Sequence, residues 1–173
     1  ASSTSGSSIS LNNDGNLIAI GSTGFDSGLY GANVGHVRIF QWDEVSNTWI
    51  QLGQDIVGDT SNDWSGWSVS MAGDINKLAI GARAYNDDGL RTGHVRIFQW
   101  DEISNTWEQL GQDLIGDNVS DDYGENCFIN DDGSIVAIGA RYHDANGSNS
   151  GHVRIFQWDE VSNTWIQLGQ DIF

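Results

Sequence analysis

Three histidines, His36, His94 and His152, recur at intervals of 58 residues, each between a glycine and a Val-Arg-Ile-Phe run. Histidines held at one spacing could converge on a metal ion. These lie in apolar runs beside Arg38, Arg96 and Arg154, which favours packed or hydrogen-bonded rings. The carboxylate pairs Asp43-Glu44, Asp101-Glu102 and Asp159-Glu160 match general acid/base dyads only in number. Each precedes a Ser-Asn turn signal, so they read as solvated turn residues. Cys127 occupies a position held by Ile9 and Val69 in the other copies, with no histidine beside it to make a thiolate; it reads as a small buried apolar side chain. The recurring arginines read as strand residues paired with acids of a neighbouring unit.

Positions that differ between the copies are the ones free to meet a ligand. Trp64 and Trp67 align with Thr4 and Ser7 in one copy and Asp122 and Glu125 in the other, so their types suit stacking on a sugar ring or anchoring a protein. The alternative is local packing against the preceding unit. The most variable segments hold Phe25 and Tyr30 in the first unit, Tyr85, Asp87 and Asp88 in the second, and Tyr142, His143, Asp144 and Asn146 in the third. Phe25, Tyr30, Tyr85, Tyr142 and His143 are ligand-binding candidates on a loop rim. Asp87, Asp88, Asp144 and Asn146 could offer oxygen atoms to calcium, with ordinary turns as the competing reading. Asn118-Val119-Ser120 and Asn146-Gly147-Ser148 fit the acceptor pattern for glycosylation.

The elements that carry these residues follow from the repeat. GHVRIFQWDE(V/I)SNTW begins at Gly35, Gly93 and Gly151, and an Ala-Ile-Gly block precedes each copy. The chain therefore divides into units 1–60, 61–118 and 119–173, the first with a two-residue loop insertion. Period-two patterning marks four strands per unit, in the second copy Ser68 to Met71, Lys77 to Ala82, His94 to Trp100 and Thr106 to Leu110. Along the third of these, His94, Arg96, Phe98 and Trp100 share one face, and Val95, Ile97 and Gln99 share the other. Large side chains on both faces require a sheet covered on both sides. The fold expected is all-β, three tandem four-stranded antiparallel blades of β-propeller type, with a β-trefoil as the alternative.

The 173 residues include 24 acidic and 7 basic ones, a net charge of -17, with 22 Gly and no Pro. A nucleic-acid footprint needs clustered cations and is excluded. No apolar run approaches the roughly 20 residues of a membrane helix. One cysteine gives no internal disulfide.

The runs Gly66-Trp67-Ser68-Val69-Ser70, Leu78-Ala79-Ile80-Gly81-Ala82-Arg83 and Gly93-His94-Val95-Arg96-Ile97-Phe98 resemble the FG-GAP repeat family, across all three units. The resemblance implies a propeller of about seven blades and extracellular adhesion or scaffold roles. The family's calcium loop is not matched: Asn12-Asn13-Asp14-Gly15, Ala72-Gly73-Asp74-Ile75 and Asn130-Asp131-Asp132-Gly133 supply too few oxygen ligands. Arg83 and Arg141 stand where the family often has Pro.

From these residues the expected protein is a non-catalytic extracellular structural or adhesive repeat protein, part of a larger propeller or self-assembling filament. A carbohydrate-binding module using the aromatic rim is the alternative. No cofactor is expected beyond the weak calcium pattern. The expected partners are further blades of a parent chain or other copies, with a glycan or cell-surface protein as another. Ile9 and Leu11 at one end, and Trp158 and Trp165 at the other, are expected to expose apolar surface for that assembly.

Overall fold

The computed structural model describes residues 3–73, 77–87 and 90–173, with Asp87 by its backbone alone. All regular structure among the described residues is β. The first unit contains β1 (Ser5–Leu11), β2 (Leu17–Ser22), β3 (His36–Asp43), β4 (Thr48–Gln51) and β5 (Ile56–Val57). The second contains β6 (Ser68–Met71), β7 (Lys77–Ala82), a small hairpin of β8 (Asn86–Asp87) and β9 (Leu90–Arg91), β10 (His94–Asp101), β11 (Thr106–Gln109) and β12 (Leu114–Ile115). The third contains β13 (Tyr123–Ile129), β14 (Ile135–Ala140), β15 (His152–Asp159) and β16 (Thr164–Gln167).

Each unit forms one antiparallel sheet in sequence order, β1-β2-β3-β4, β6-β7-β10-β11 and β13-β14-β15-β16. The first two sheets have five strands rather than the four expected, because β5 and β12 pair with the free edge of β3 and β10 beyond the final hairpin. Those two-residue strands are too short to show a period in sequence. Register is fixed by the turns: Asn47, Asn105 and Asn163 adopt positive φ of 52°, 54° and 52° and close the final hairpins.

Apolar packing between the sheets makes two cores. Phe98, Leu78 and Ile80 of the middle sheet meet Val37, Ile39 and Leu17 of the first. Val95, Ile97 and Ala79, on the opposite face, meet Val136, Ile138 and Ile129 of the third. The alternation along β10 thus separates two interfaces, as its residue types predict.

The joint between units repeats in detail. Ser8 Oγ donates to the Gly66 carbonyl at 2.8 Å and Ser68 Oγ to that of Gly124 at 2.9 Å. Ser10 and Ser70 hydroxyls accept the amides of Met71 and Ile129. Gln54 bonds both backbone groups of Trp107, and Gln112 does the same for Trp165. The indoles donate to the Leu52 and Leu110 carbonyls. Trp165 is consequently 3% exposed, which corrects the expectation that it presents apolar surface: its partner is the unit before it. The open surface of the third sheet is instead carried by Phe128, Val153 and Ile166, and that of the first by Ile9, Leu11 and Trp49.

Candidate functional site

Each unit brings together a polar group that recurs along the chain. His36, His94 and His152 begin β3, β10 and β15 and are buried, with Asp55, Asp113 and Asp171 Oδ2 at 3.5, 3.7 and 4.0 Å from Nδ1. An aromatic ring from the loop between second and third strands covers each histidine: Phe25 on His36 at 4.1 Å, Tyr85 on His94 at 3.9 Å, His143 on His152 at 4.0 Å between centroids. Among the described residues, none of these three histidines has a hydrogen-bond partner at either ring nitrogen. Burial holds all three below the ordinary 6.5, His94 farthest, with Arg96 adding to its shift. The rings are therefore neutral at pH 7 and each keeps a lone pair for a Lewis acid or a proton.

Arg96 and Arg154 reach across the interfaces as their pattern suggests, whereas Arg38 of the first unit lies over the Phe40 ring at 5.8 Å. Arg96 donates to Asp59 Oδ1 at 2.8 Å and to the Val57 carbonyl. Arg154 pairs with both Asp117 and Asp171. Asp59 has its carboxyl pushed up by burial, then pulled down by Arg96, with Asp113 and Asp63 adding repulsion.

Trp64 and Trp67 stack on each other at 5.7 Å. The Arg83 guanidinium lies 3.7 Å from the Trp67 centroid and Arg91 lies 5.2 Å from that of Trp64. Both arginines pair with the buried Asp122 of the third unit, so guanidinium groups already sit over the faces a sugar would use. Tyr30 is exposed, and Tyr142 is half-buried beside Arg141 at 4.8 Å. Asp144 accepts the Asn149 amide at 2.6 Å inside an exposed turn, and the Asn146 amide donates to Ser150 Oγ. Asp88 and the Asp87 side chain lie outside the described residues. The Asn118 amide donates to Asp121, which accepts from His143 Nδ1 at 2.6 Å.

Asp43, Asp101 and Asp159 accept hydrogen bonds from the turns that follow them and are held below the ordinary carboxylate value by those bonds. Cys127 Sγ sits under Ser68 and Ala79, and burial pushes its thiol up to about 11. Sequence reasoning singles out none of Asp55, Asp59, Asp113, Asp117 and Asp171. Their 58-residue spacing, shared with the histidines, was the available signal.

No family model matches this chain, and no curated protein matches it. Solved structures do. The "putative 6-phosphogluconolactonase" from Bacteroides fragilis aligns over 95% of this chain and 38% of its own, with TM-score 0.61 and 19% identity. That from Bacteroides uniformis aligns over 95% and 39%, with TM-score 0.62 and 17% identity. Hydrazine synthase from Kuenenia stuttgartiensis aligns over 92% and 41%, with TM-score 0.51 and 10% identity. The chain spans about two fifths of the length of these proteins. The expectation of a non-catalytic adhesive repeat protein is corrected by this finding, because the structures that share the arrangement bear the names of enzymes. At such identities the likeness shows a shared all-β fold.

Proposed function

We propose that the chain supplies three consecutive blades of a β-propeller, continued by further blades, and that the completed propeller is a hydrolase acting on a sugar-derived lactone. The observation that carries the architecture is the pair of unfilled joint halves. A cavity of about 350 Å³ on the third sheet is lined by Gly139, Gly151, His152 and Phe173. At the matching positions Gly81 and Gly93 are covered by the backbone of Gly124 and Tyr123 from the next unit. On the first sheet, Leu11, Ile18, Ile20, Phe40 and Trp49 line an apolar groove where a preceding unit would pack. The FG-GAP-like runs support the same architecture. The two Bacteroides proteins support the activity, in which water adds to the ester carbonyl and the ring C–O bond breaks to give acid and alcohol.

Two measurements test the reading. Electron microscopy of assemblies, or of a chain extended by further units, is expected to show closed rings; open fibres overturn the propeller. Ring opening of 6-phosphogluconolactone by the closed ring is expected to exceed the spontaneous rate, and an unchanged rate overturns the activity.

A further inference from the structure

We infer that Asp59, His94 and Asp113 form a site for one divalent transition-metal ion, best matched by Zn²⁺, at the interface of the first two units. One ligand atom from each lies within 4.8 Å of the others. His94 is completely buried and both its ring nitrogens lack a hydrogen-bond partner among the described residues. A buried imidazole without a partner forfeits hydration with nothing in return, and a bound cation is what its neutral lone pair can take here. Its Nδ1 points toward Asp113 Oδ2 at 3.7 Å. Asp113 Oδ1 is held by Gln109 at 2.7 Å, which leaves Oδ2 as the outward acceptor. Arg96 takes Asp59 Oδ1 and leaves Oδ2 without that partner.

The third unit supplies the internal contrast. There Arg154 binds both equivalent acids, Asp117 and Asp171, so each carboxylate is already neutralised. At the second unit's joint Arg96 reaches only Asp59 and the Val57 carbonyl, so Asp113, unlike Asp171, has no guanidinium partner among the described residues. A divalent ion would remove the repulsion between Asp59 and Asp113 and give His94 its ligand. One imidazole nitrogen with two carboxylate oxygens suits Zn²⁺ better than Ca²⁺, which takes six to eight oxygens. Tetrahedral Zn²⁺ would need the three ligand atoms about 3.3 Å apart. The half-exposed Asp59 side chain, 43% accessible, can supply that closure. A fourth position is left for water.

Calorimetric titration of the EDTA-stripped chain with Zn²⁺, Mn²⁺ and Ca²⁺ tests the site. The expected result is one Zn²⁺ per chain, bound more tightly than Ca²⁺. Asp113→Asn and Asp59→Asn should each weaken it tenfold or more, while Asp171→Asn in the third unit changes it less than twofold. Circular dichroism melts in EDTA verify that each variant is folded. No Zn²⁺ binding up to 1 mM, a probe limit set roughly at millimolar affinity, overturns the site. So does binding that survives both the Asp59 and the Asp113 substitution, or a preference for Ca²⁺.

Discussion

The Trp107 indole donates a hydrogen bond to the Leu52 carbonyl at 3.0 Å, and this bond crosses from one repeat to the one before it. Gln54 holds the backbone N–H and C=O of the same tryptophan, so one residue of the second unit is fixed at three points by the first. Its ring fills the apolar space beside Met71, Phe98 and Ile39. Truncation to Trp107→Ala removes a side chain that is 2% exposed and should cost about 3 to 5 kcal/mol. Trp49, the same residue in the first unit, is 43% exposed, and Trp49→Ala should cost under about 1 kcal/mol. Urea unfolding of the two variants compares them; equal losses would mean that burial by the preceding unit is not what matters.

A second prediction concerns the Trp64–Trp67 pair. Arg83 pairs with Asp122, whose side chain is buried, while covering the Trp67 face, so Arg83→Ala uncovers Trp67 and leaves Arg91 as the guanidinium partner of a buried carboxylate. The expected cost is about 1 to 3 kcal/mol, at or below the scale for leaving a buried charge without any partner, because Arg91 keeps its contact with Asp122. Arg83→Ala with Asp122→Asn should recover part of it, because the buried charge that has lost one of its two guanidinium partners is then absent. A double variant no better than the single one would place the loss in ring packing.

Much of this frame was legible in sequence, for identifiable reasons. The strands Ser68–Met71 and Lys77–Ala82 lie where period-two patterning puts them, and β10 buries both faces because His94, Arg96 and Phe98 alternate with Val95 and Ile97. The direction of packing was not legible. Periodicity says that Trp165 meets a neighbour and is silent on whether the neighbour precedes or follows; the Gln112 bonds decide it. The carboxylates beside the histidines were hidden in the same way, since Asp113 is 19 residues from His94 and joins it only through the pairing of β12 with β10. The place of Arg83 and Arg91 over Trp67 and Trp64 was not legible either, because these arginines meet the rings through folded loops.

The buried histidines make stability depend on pH. His94 is held well below its ordinary 6.5 by burial and Arg96, with Asp113 and Asp59 nearby, and His36 and His152 shift the same way. Below about pH 6.5 the unfolded chain binds protons that the folded chain refuses, so stability falls as pH drops. Each such histidine contributes up to about 1.4 kcal/mol per pH unit within that window. Urea midpoints at pH 7.5 and 5.5 should differ in the native chain and differ less in His94→Gln. An undiminished difference in that variant would assign the effect to other groups.

Two glycines at matching positions decide whether another unit follows the third sheet. A Cβ on Gly81 would lie 2.2 Å from the Gly124 carbonyl oxygen and 2.2 Å from Ser68 Oγ, so Gly81→Ala forces the second and third units apart. Such overpacking costs about 1 to 3 kcal/mol. A Cβ on Gly139 meets nothing nearer than the Asn126 carbonyl at 3.8 Å, so Gly139→Ala should be neutral, or stabilising by up to about 1 kcal/mol through the unfolded chain. The joint is not a simple copy here: Asn126 and Phe128 replace the Ser68 and Ser70 that bond the next unit elsewhere, and Phe128 is 63% exposed. A packed successor must therefore seat Phe128 rather than bond a serine. With a further unit placed after Phe173, Gly139→Ala should turn from neutral to destabilising, and Phe128→Ser should restore the repeated bond. Calorimetric melts of the chain with and without the added unit read both effects. A Gly139→Ala variant that stays neutral in the longer chain would mean that the third sheet does not receive a successor through this joint.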